Sequence, residues 1–212
     1  LLRQIQARFP GHTIVTEESG RLEGAGDTCW FIDPLDGTVN FAHGVPVFSV
    51  SLAFAQGGVV QLGVVYDPMR DELFSAERGR GARLNDKPIH VSLVTELLQS
   101  LLTTGFSYQE WIIDHNLAHY RRFAHLTQGV RRLGSAAIDL CYVAAGRFEG
   151  YWEISLQSYD IAAGGLIVEE AGGKMTAAYG DADYLRSPCS ALAANPVLHA
   201  QMLAVLLEDR PA

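Results

Sequence analysis

Trp30-Phe31-Ile32-Asp33-Pro34-Leu35-Asp36-Gly37-Thr38 runs from an apolar strand straight into two carboxylates, a glycine and a hydroxyl. Pro34 fixes φ and offers no backbone N–H, so the turn restricts how Asp33 and Asp36 can be placed. Two carboxylates held that close repel each other unless a cation lies between them. Gly37 lets the backbone approach a ligand, and Thr38 opens a helical pattern whose free N–H groups suit an anion. The stretch therefore reads as a metal and phosphate site. An acidic turn capping a helix produces the same local pattern, since Asp, Gly and Thr favour such positions for local reasons alone. The motif by itself leaves both readings open.

On either side of it the first half is strand-rich. Residues 1–9 have helical apolar spacing, Pro10-Gly11-His12 breaks it, and 12–16 reads as a short strand ending in Glu17-Glu18. Residues 29–33 form the next strand, and alternation from Val47 to Phe54 marks another. Gln56-Gly57-Gly58 then turns into a strand over 59–66, followed by one over 72–76. The pattern predicts an antiparallel meander, with a glycine-rich loop at 78–82 leading into Ile89-His90-Val91. Beyond residue 100, strand-like 100–104, 129–133 and 149–154 alternate with helical 109–126, 135–145 and 158–171, and an amphipathic helix over 197–207 closes the chain. That alternation predicts a mixed sheet flanked by helices. A single unit over 1–212 with lobes near 1–99 and 100–212 is expected, without a flexible linker.

The 212 residues are 48% hydrophobic and carry a net charge of −8, which disfavours nucleic acid, anionic membranes and phosphorylated substrates over most of the surface. A phosphate-handling site here needs cations. Cys29, Cys141 and Cys189 are odd in number, widely spaced and in apolar settings, so reduced thiols and a reducing cytoplasm are expected. No apolar run approaches the roughly 18 residues of a membrane span.

Further acidic stations are Glu17-Glu18 after a strand, Glu153 after Tyr151-Trp152, and Asp160 in the first turn of a helix, where the dipole alone favours a negative charge. Their order, with four motifs in register, resembles the inositol monophosphatase family of magnesium-dependent, lithium-sensitive sugar phosphatases. The resemblance spans essentially the whole chain. One signature is the opening stretch continued through Val39-Asn40-Phe41-Ala42-His43-Gly44-Val45-Pro46, and a second runs from Tyr159-Asp160-Ile161-Ala162-Ala163-Gly164 to Glu170-Ala171-Gly172-Gly173. Thr16-Glu17-Glu18-Ser19 and Arg132-Leu133-Gly134-Ser135-Ala136-Ala137 complete the set.

The resemblance implies an α+β fold, a layered α/β/α/β/α sandwich with a mainly antiparallel N-terminal sheet and a mixed C-terminal sheet flanked by helices. It implies two or three Mg2+ ions, inhibition by Li+, and hydrolysis of a small phosphate monoester by metal-activated water with no covalent intermediate. Glu17, Asp33, Asp36, Asp160 and the Leu35 carbonyl would be metal ligands, all of them hard oxygen donors. Glu17, Thr38 and Asp36 would serve catalysis. The Gly37 and Thr38 amides would hold phosphate, while Asp36, Gly134, Ser135, Ala136, Glu153 and Asp160 would line the substrate. His43 is not required as a base, and Arg131-Arg132 could favour anionic substrates or serve as solvated charges.

The continuation after Thr38 looks most like inositol monophosphatases, with histidinol-phosphate, fructose-1,6-bisphosphate and 3′-phosphoadenosine phosphatases as alternatives. A regulatory or binding protein that keeps the fold is the reading from another class. A homodimer acting on a phosphorylated sugar or polyol is expected, with no membrane or direct nucleic-acid contact. Tyr159 departs from the tryptophan usual at that place. The resemblance also leads one to expect about 50 further residues before Leu1, carrying a Thr/Asp element that assists the nucleophilic water.

Overall fold

A computed structural model describes residues 1–107 and 110–208. The chain opens with α1 (Leu2–Arg8) and then builds an eight-stranded sheet from β1 (Thr13–Thr16), β2 (Gly20–Leu22), β3 (Thr28–Asp36), β4 (Ser49–Gln56), β5 (Val59–Asp67), β6 (Glu72–Glu77), β7 (Ala82–Leu84) and β8 (Lys87–Ile89). The five-residue α2 (Thr38–Ala42) interrupts it between β3 and β4. A second sheet follows, with β9 (Leu101–Thr104), α3 (Glu110–Leu126), β10 (Gly129–Arg131), α4 (Ala136–Ala144), β11 (Gly150–Leu156), α5 (Ser158–Glu170), β12 (Lys174–Thr176), β13 (Cys189–Ala194) and α6 (Pro196–Glu208). The helix expected from Gln109 is α3; Gln109 itself lies outside the described residues.

Strand order in the first sheet is β2-β1-β3-β4-β5-β6-β7-β8 and in the second β10-β9-β11-β13-β12. The first sheet departs from a pure meander at one place. β1 pairs parallel with β3, because β2 folds back antiparallel on the far edge of β1 and the chain returns to place β3 on the near side. The second sheet is mixed, with β9 parallel to both β10 and β11 and β13 antiparallel to β11 and β12. Short β2, β12 and β13 were not legible as strands, and the loop before Ile89 contains a hairpin turning at Asn85 and Asp86, both with positive φ.

Side-chain alternation explains the layers. Along β4, Ser49, Ser51, Ala53 and Ala55 are buried, whereas Val50, Leu52 and Phe54 are only half-buried. The small set faces α5, which lies against β3, β4 and β5. Along β11, Tyr151 joins the inner core of Leu140, Ile161 and Leu166, while Trp152 points the other way to Phe123, Leu198 and Met202. α4 and α5 thus fill the space between the sheets, α3 and α6 cover the second sheet, and α1 covers the β1–β3 end of the first through Ile5, Ile14 and Ile32. The result is an α+β sandwich in α/β/α/β/α order, carried largely by apolar burial at about 25 cal/mol per Å². Its inner helices begin beside the end of β3.

Candidate functional site

β3 does not end where its apolar run ends. Its pairing with β4 is irregular between Asp33 and Asp36, and the chain continues extended through both before Gly37 turns it. Gly37 has φ +93°, and a β-carbon there would stand 3.0 Å from the Val47 carbonyl oxygen and 3.2 Å from that of Gly134. Glycine is therefore demanded twice, by the left-handed backbone and by crowding. The turn is fastened by Asn40, whose buried amide donates to the carbonyls of Val47 and Leu133, each at 2.8 Å.

Each aspartate of the turn has a defined partner. Asp33 Oδ1 accepts from the Leu35 N–H at 2.9 Å. Asp36 Oδ2 accepts from Ser135 Oγ at 2.5 Å and from the Ala137 N–H at 2.9 Å, which ties β3 to the start of α4. Ser135 also accepts from the Ile138 N–H as the cap of α4, so its hydroxyl is committed to structure. Asp160 occupies the third position of α5, and its Oδ2 accepts from the Gln157 N–H at 2.7 Å. Thr38 Oγ1 donates to the Leu35 carbonyl at 3.1 Å.

Asp33, Asp36, Thr38, Ser135, Gln157 and Asp160 line one cavity of about 290 Å³, together with Glu17, Gly37, Arg132, Gly134, Ala136, Asp139, Glu153 and Ser155. Of the residues given a metal, catalytic or substrate role in the sequence reading, Leu35 alone is not part of its wall, its carbonyl accepting from Thr38, and Glu18, His43 and Arg131 also lie outside it. Arg132 is the only basic residue among the described residues of the lining, which holds six carboxylates. The sequence reading missed Asp139, although a lone charge inside the apolar Ala-Ala-Ile-Asp-Leu-Cys-Tyr-Val-Ala helix was the available signal. Asp139 is buried, and its Oδ1 accepts from Thr103 Oγ1 at 2.7 Å. Gly105, at the end of β9, was also missed.

Burial and mutual repulsion set the electrostatics. Asp33 is pushed up to about 8, by burial first and the neighbouring Asp36 second. Burial raises Asp160 to about 7 against the opposing hydrogen bond from Gln157. Asp36 is likewise raised by burial in spite of its donors, and Asp139 well above the ordinary carboxylate range. Glu153 rises to about 7, burial outweighing the Tyr151 hydrogen bond. A divalent cation would offset this accumulation of charge, and an all-oxygen donor set suits a hard one. As placed, however, no three His, Cys, Asp or Glu side chains among the described residues close around one point. Asp33, Asp36 and Asp160 each have an oxygen turned to a backbone or hydroxyl donor.

Comparison with known proteins gives the family. Residues 1–210 match the family model described as the inositol monophosphatase family. A Pasteurella multocida protein named Nus factor SuhB is 48% identical over 88% of this chain and 71% of its own length. The inositol-1-monophosphatase of Synechocystis is 47% identical over 95% of this chain and 71% of its own. The solved inositol monophosphatase of Anabaena superposes with a TM-score of 0.91 at 45% identity, covering 99% of this chain and 84% of that one.

Proposed function

We propose that this chain, which belongs to the inositol monophosphatase family, is a Mg2+-dependent hydrolase of a small phosphate monoester, with inositol monophosphate as its substrate. The observation that carries the reading is the assembly of Glu17, Asp33, Asp36 and Asp160, from three separated stretches of chain, on the wall of one cavity. Those carboxylates and the Leu35 carbonyl would hold the metal. Magnesium, when bound, supplies charge neutralisation to the phosphoryl group and departing oxygen and acidifies water for attack.

The protein's own groups divide the remaining work. Thr38 Oγ1 donates a hydrogen bond to the Leu35 carbonyl, which leaves its lone pairs to accept from a water and orient it, with Glu17 on the same cavity wall. The Gly37 and Thr38 amides, at a helix start, would take phosphate oxygens. The wall made by residues 134–136 and Glu153 faces the alcohol. Buried and bonded only by Tyr151 among the described side chains, Glu153 is suited to accept a hydrogen bond from a hydroxyl of a polyol.

Phosphate release from inositol 1-phosphate, histidinol phosphate, fructose 1,6-bisphosphate and 3′-phosphoadenosine 5′-phosphate, with and without Mg2+ and Li+, tests the reading. The expected result is Mg2+-dependent, Li+-inhibited turnover with the highest kcat/KM on inositol 1-phosphate. Asp33→Asn and Asp160→Asn are each expected to lose more than about 100-fold in kcat while melting as folded proteins. Near-normal turnover by either variant contradicts the assignment. The name Nus factor, carried by the Pasteurella relative, favours a second reading in which the chain acts through a macromolecular partner. Turnover indifferent to Mg2+, with a tight complex in pull-down, would support that one. The same family reading includes a homodimer, testable by light scattering.

A further inference from the structure

Glu153 is held in a place that the rest of the cavity wall makes for it. It lies on β11 two residues from Tyr151, so both side chains emerge on the same face of the sheet. Tyr151 is fully buried and donates its O–H to Glu153 Oε2 at 2.6 Å. From the other side the carboxylate lies against Gly105. A β-carbon at 105 would stand 1.9 Å from Glu153 Oε2, 2.3 Å from Cδ and 2.4 Å from Oε1. Gly105 is not among the residues with positive φ, so its backbone would accept any side chain. Glycine is required here for space alone.

Nor can the backbone at 105 move aside cheaply. The Gly105 carbonyl accepts from Asn116 Nδ2 on α3, and Asn116 Oδ1 accepts from Trp152 Nε1 at 3.1 Å. Thr104 Oγ1 donates to the Trp152 carbonyl at 2.6 Å. β9, β11 and α3 are thereby fastened together at Trp152, the residue before Glu153, and a larger residue at 105 must displace the carboxylate and not the strand.

We infer that Gly105 and Tyr151 are positioning residues that set which alcohol the site accepts, the glycine vacating and the phenol pinning the place of Glu153. This rests on the phosphomonoesterase reading above. A fixed, desolvated acceptor discriminates strongly for a substrate that brings a hydroxyl donor, because one lacking it leaves the buried acceptor unpaired. The substrate class selected is a phosphate ester of a polyol, as against an aryl phosphate of similar size.

The test compares kcat/KM for inositol 1-phosphate with that for 4-nitrophenyl phosphate, in Mg2+, for the wild type, Gly105→Ala and Tyr151→Phe, and for each change added to Glu153→Gln. The ratio of the two constants is expected to fall about 10-fold in each single variant, chiefly through KM for inositol 1-phosphate. In the Glu153→Gln background, adding Tyr151→Phe is expected to move the ratio less than about twofold. Tyr151→Phe keeps the ring in the core, so it decides the question even where Gly105→Ala fails to fold. A ratio unmoved in the folded variants, or full multiplication of the effects in the Glu153→Gln background, overturns the inference. A wild type that releases phosphate from neither ester in Mg2+ overturns the functional reading and the inference built on it, whereas an active wild type with an unmoved ratio overturns the inference alone.

Discussion

Ser155 stands in left-handed backbone, φ +67°, where the pairing of β11 with β13 slips between Ile154 and Leu156. A residue with a β-carbon is strained there by about 1 kcal/mol, and the surrounding sheet holds it in place. The bend it makes has a consequence for the cavity, since Glu153, Ser155 and Gln157 all line it and α5 with Asp160 begins immediately after. Ser155→Gly keeps the bend and removes the strain, offset partly by the freedom glycine gives the unfolded chain. A melting temperature higher by about 2 °C is the expected result in a thermal melt; a lower one would mean that contacts of the Ser155 side chain outweigh the strain. At this scale the sequence was informative where chemistry is local. Asp33, Asp36, Gly37 and Thr38 announce themselves by crowding carboxylates against a proline and a glycine. Gly105 and Asp139 do not, because their importance lies in a side chain that reaches them from another strand or helix.

α5 is the element on which the site depends most, for it crosses the inner face of the first sheet and carries Asp160 in its opening turn. Its approach is set by small residues on both partners. A β-carbon on Gly63 of β5 would lie 2.8 Å from the Ala163 carbonyl oxygen and 3.1 Å from its Cα, atoms of helix backbone that no rotamer change can move. Gly63→Ala therefore forces α5 off the sheet, at a cost typical of overpacking, about 1–3 kcal/mol. The melt should fall by roughly 5 °C, with weakened Mg2+ activation because Asp160 moves with the helix; an unchanged melting temperature would show that the contact relaxes freely. Most elements were readable from period and turn residues, including the alternation in β4 and the glycine stop after α5. The parallel pairing of β1 with β3 was not, since a strand's period says which face is buried and nothing about which neighbour it pairs with. β12 and β13 escaped for a related reason: β13 is buried on both faces, Cys-Ser-Ala-Leu-Ala-Ala, and shows no alternation to detect.

Over the whole molecule, the net charge of −8 and a cavity with six carboxylates and one arginine look unfavourable for handling a phosphate ester. Folding nevertheless gathers these acids, because each belongs to an element positioned by apolar contacts elsewhere: β3 and β4 by α5, α4 by the inner core, β11 by both cores. The apolar core carries the cost of the charge cluster, and the metal-free protein is left with carboxyls that ionise reluctantly. Asp33, near 8, and Asp160, near 7, hold protons in the folded state that an unfolded chain releases near 4. Between roughly pH 4 and 8 the folded state therefore binds more protons than the unfolded one, so metal-free stability falls as pH rises through that window. On the proposed function, magnesium would require the ionised carboxylates and bind the folded arrangement alone, so its stabilisation would change in the opposite direction. With Mg2+ at about 100 times its dissociation constant at pH 8.5, about 2.7 kcal/mol is gained, raising the melting temperature by roughly 5–10 °C over the same protein in EDTA. At pH 6 the same concentration should raise it much less, and Asp33→Asn should remove most of the shift at either pH. Scanning fluorimetry at the two pH values measures this directly. An equal shift at both, or one that survives Asp33→Asn unchanged, would show that the cation binds somewhere other than the cavity where the two sheets and their inner helices meet.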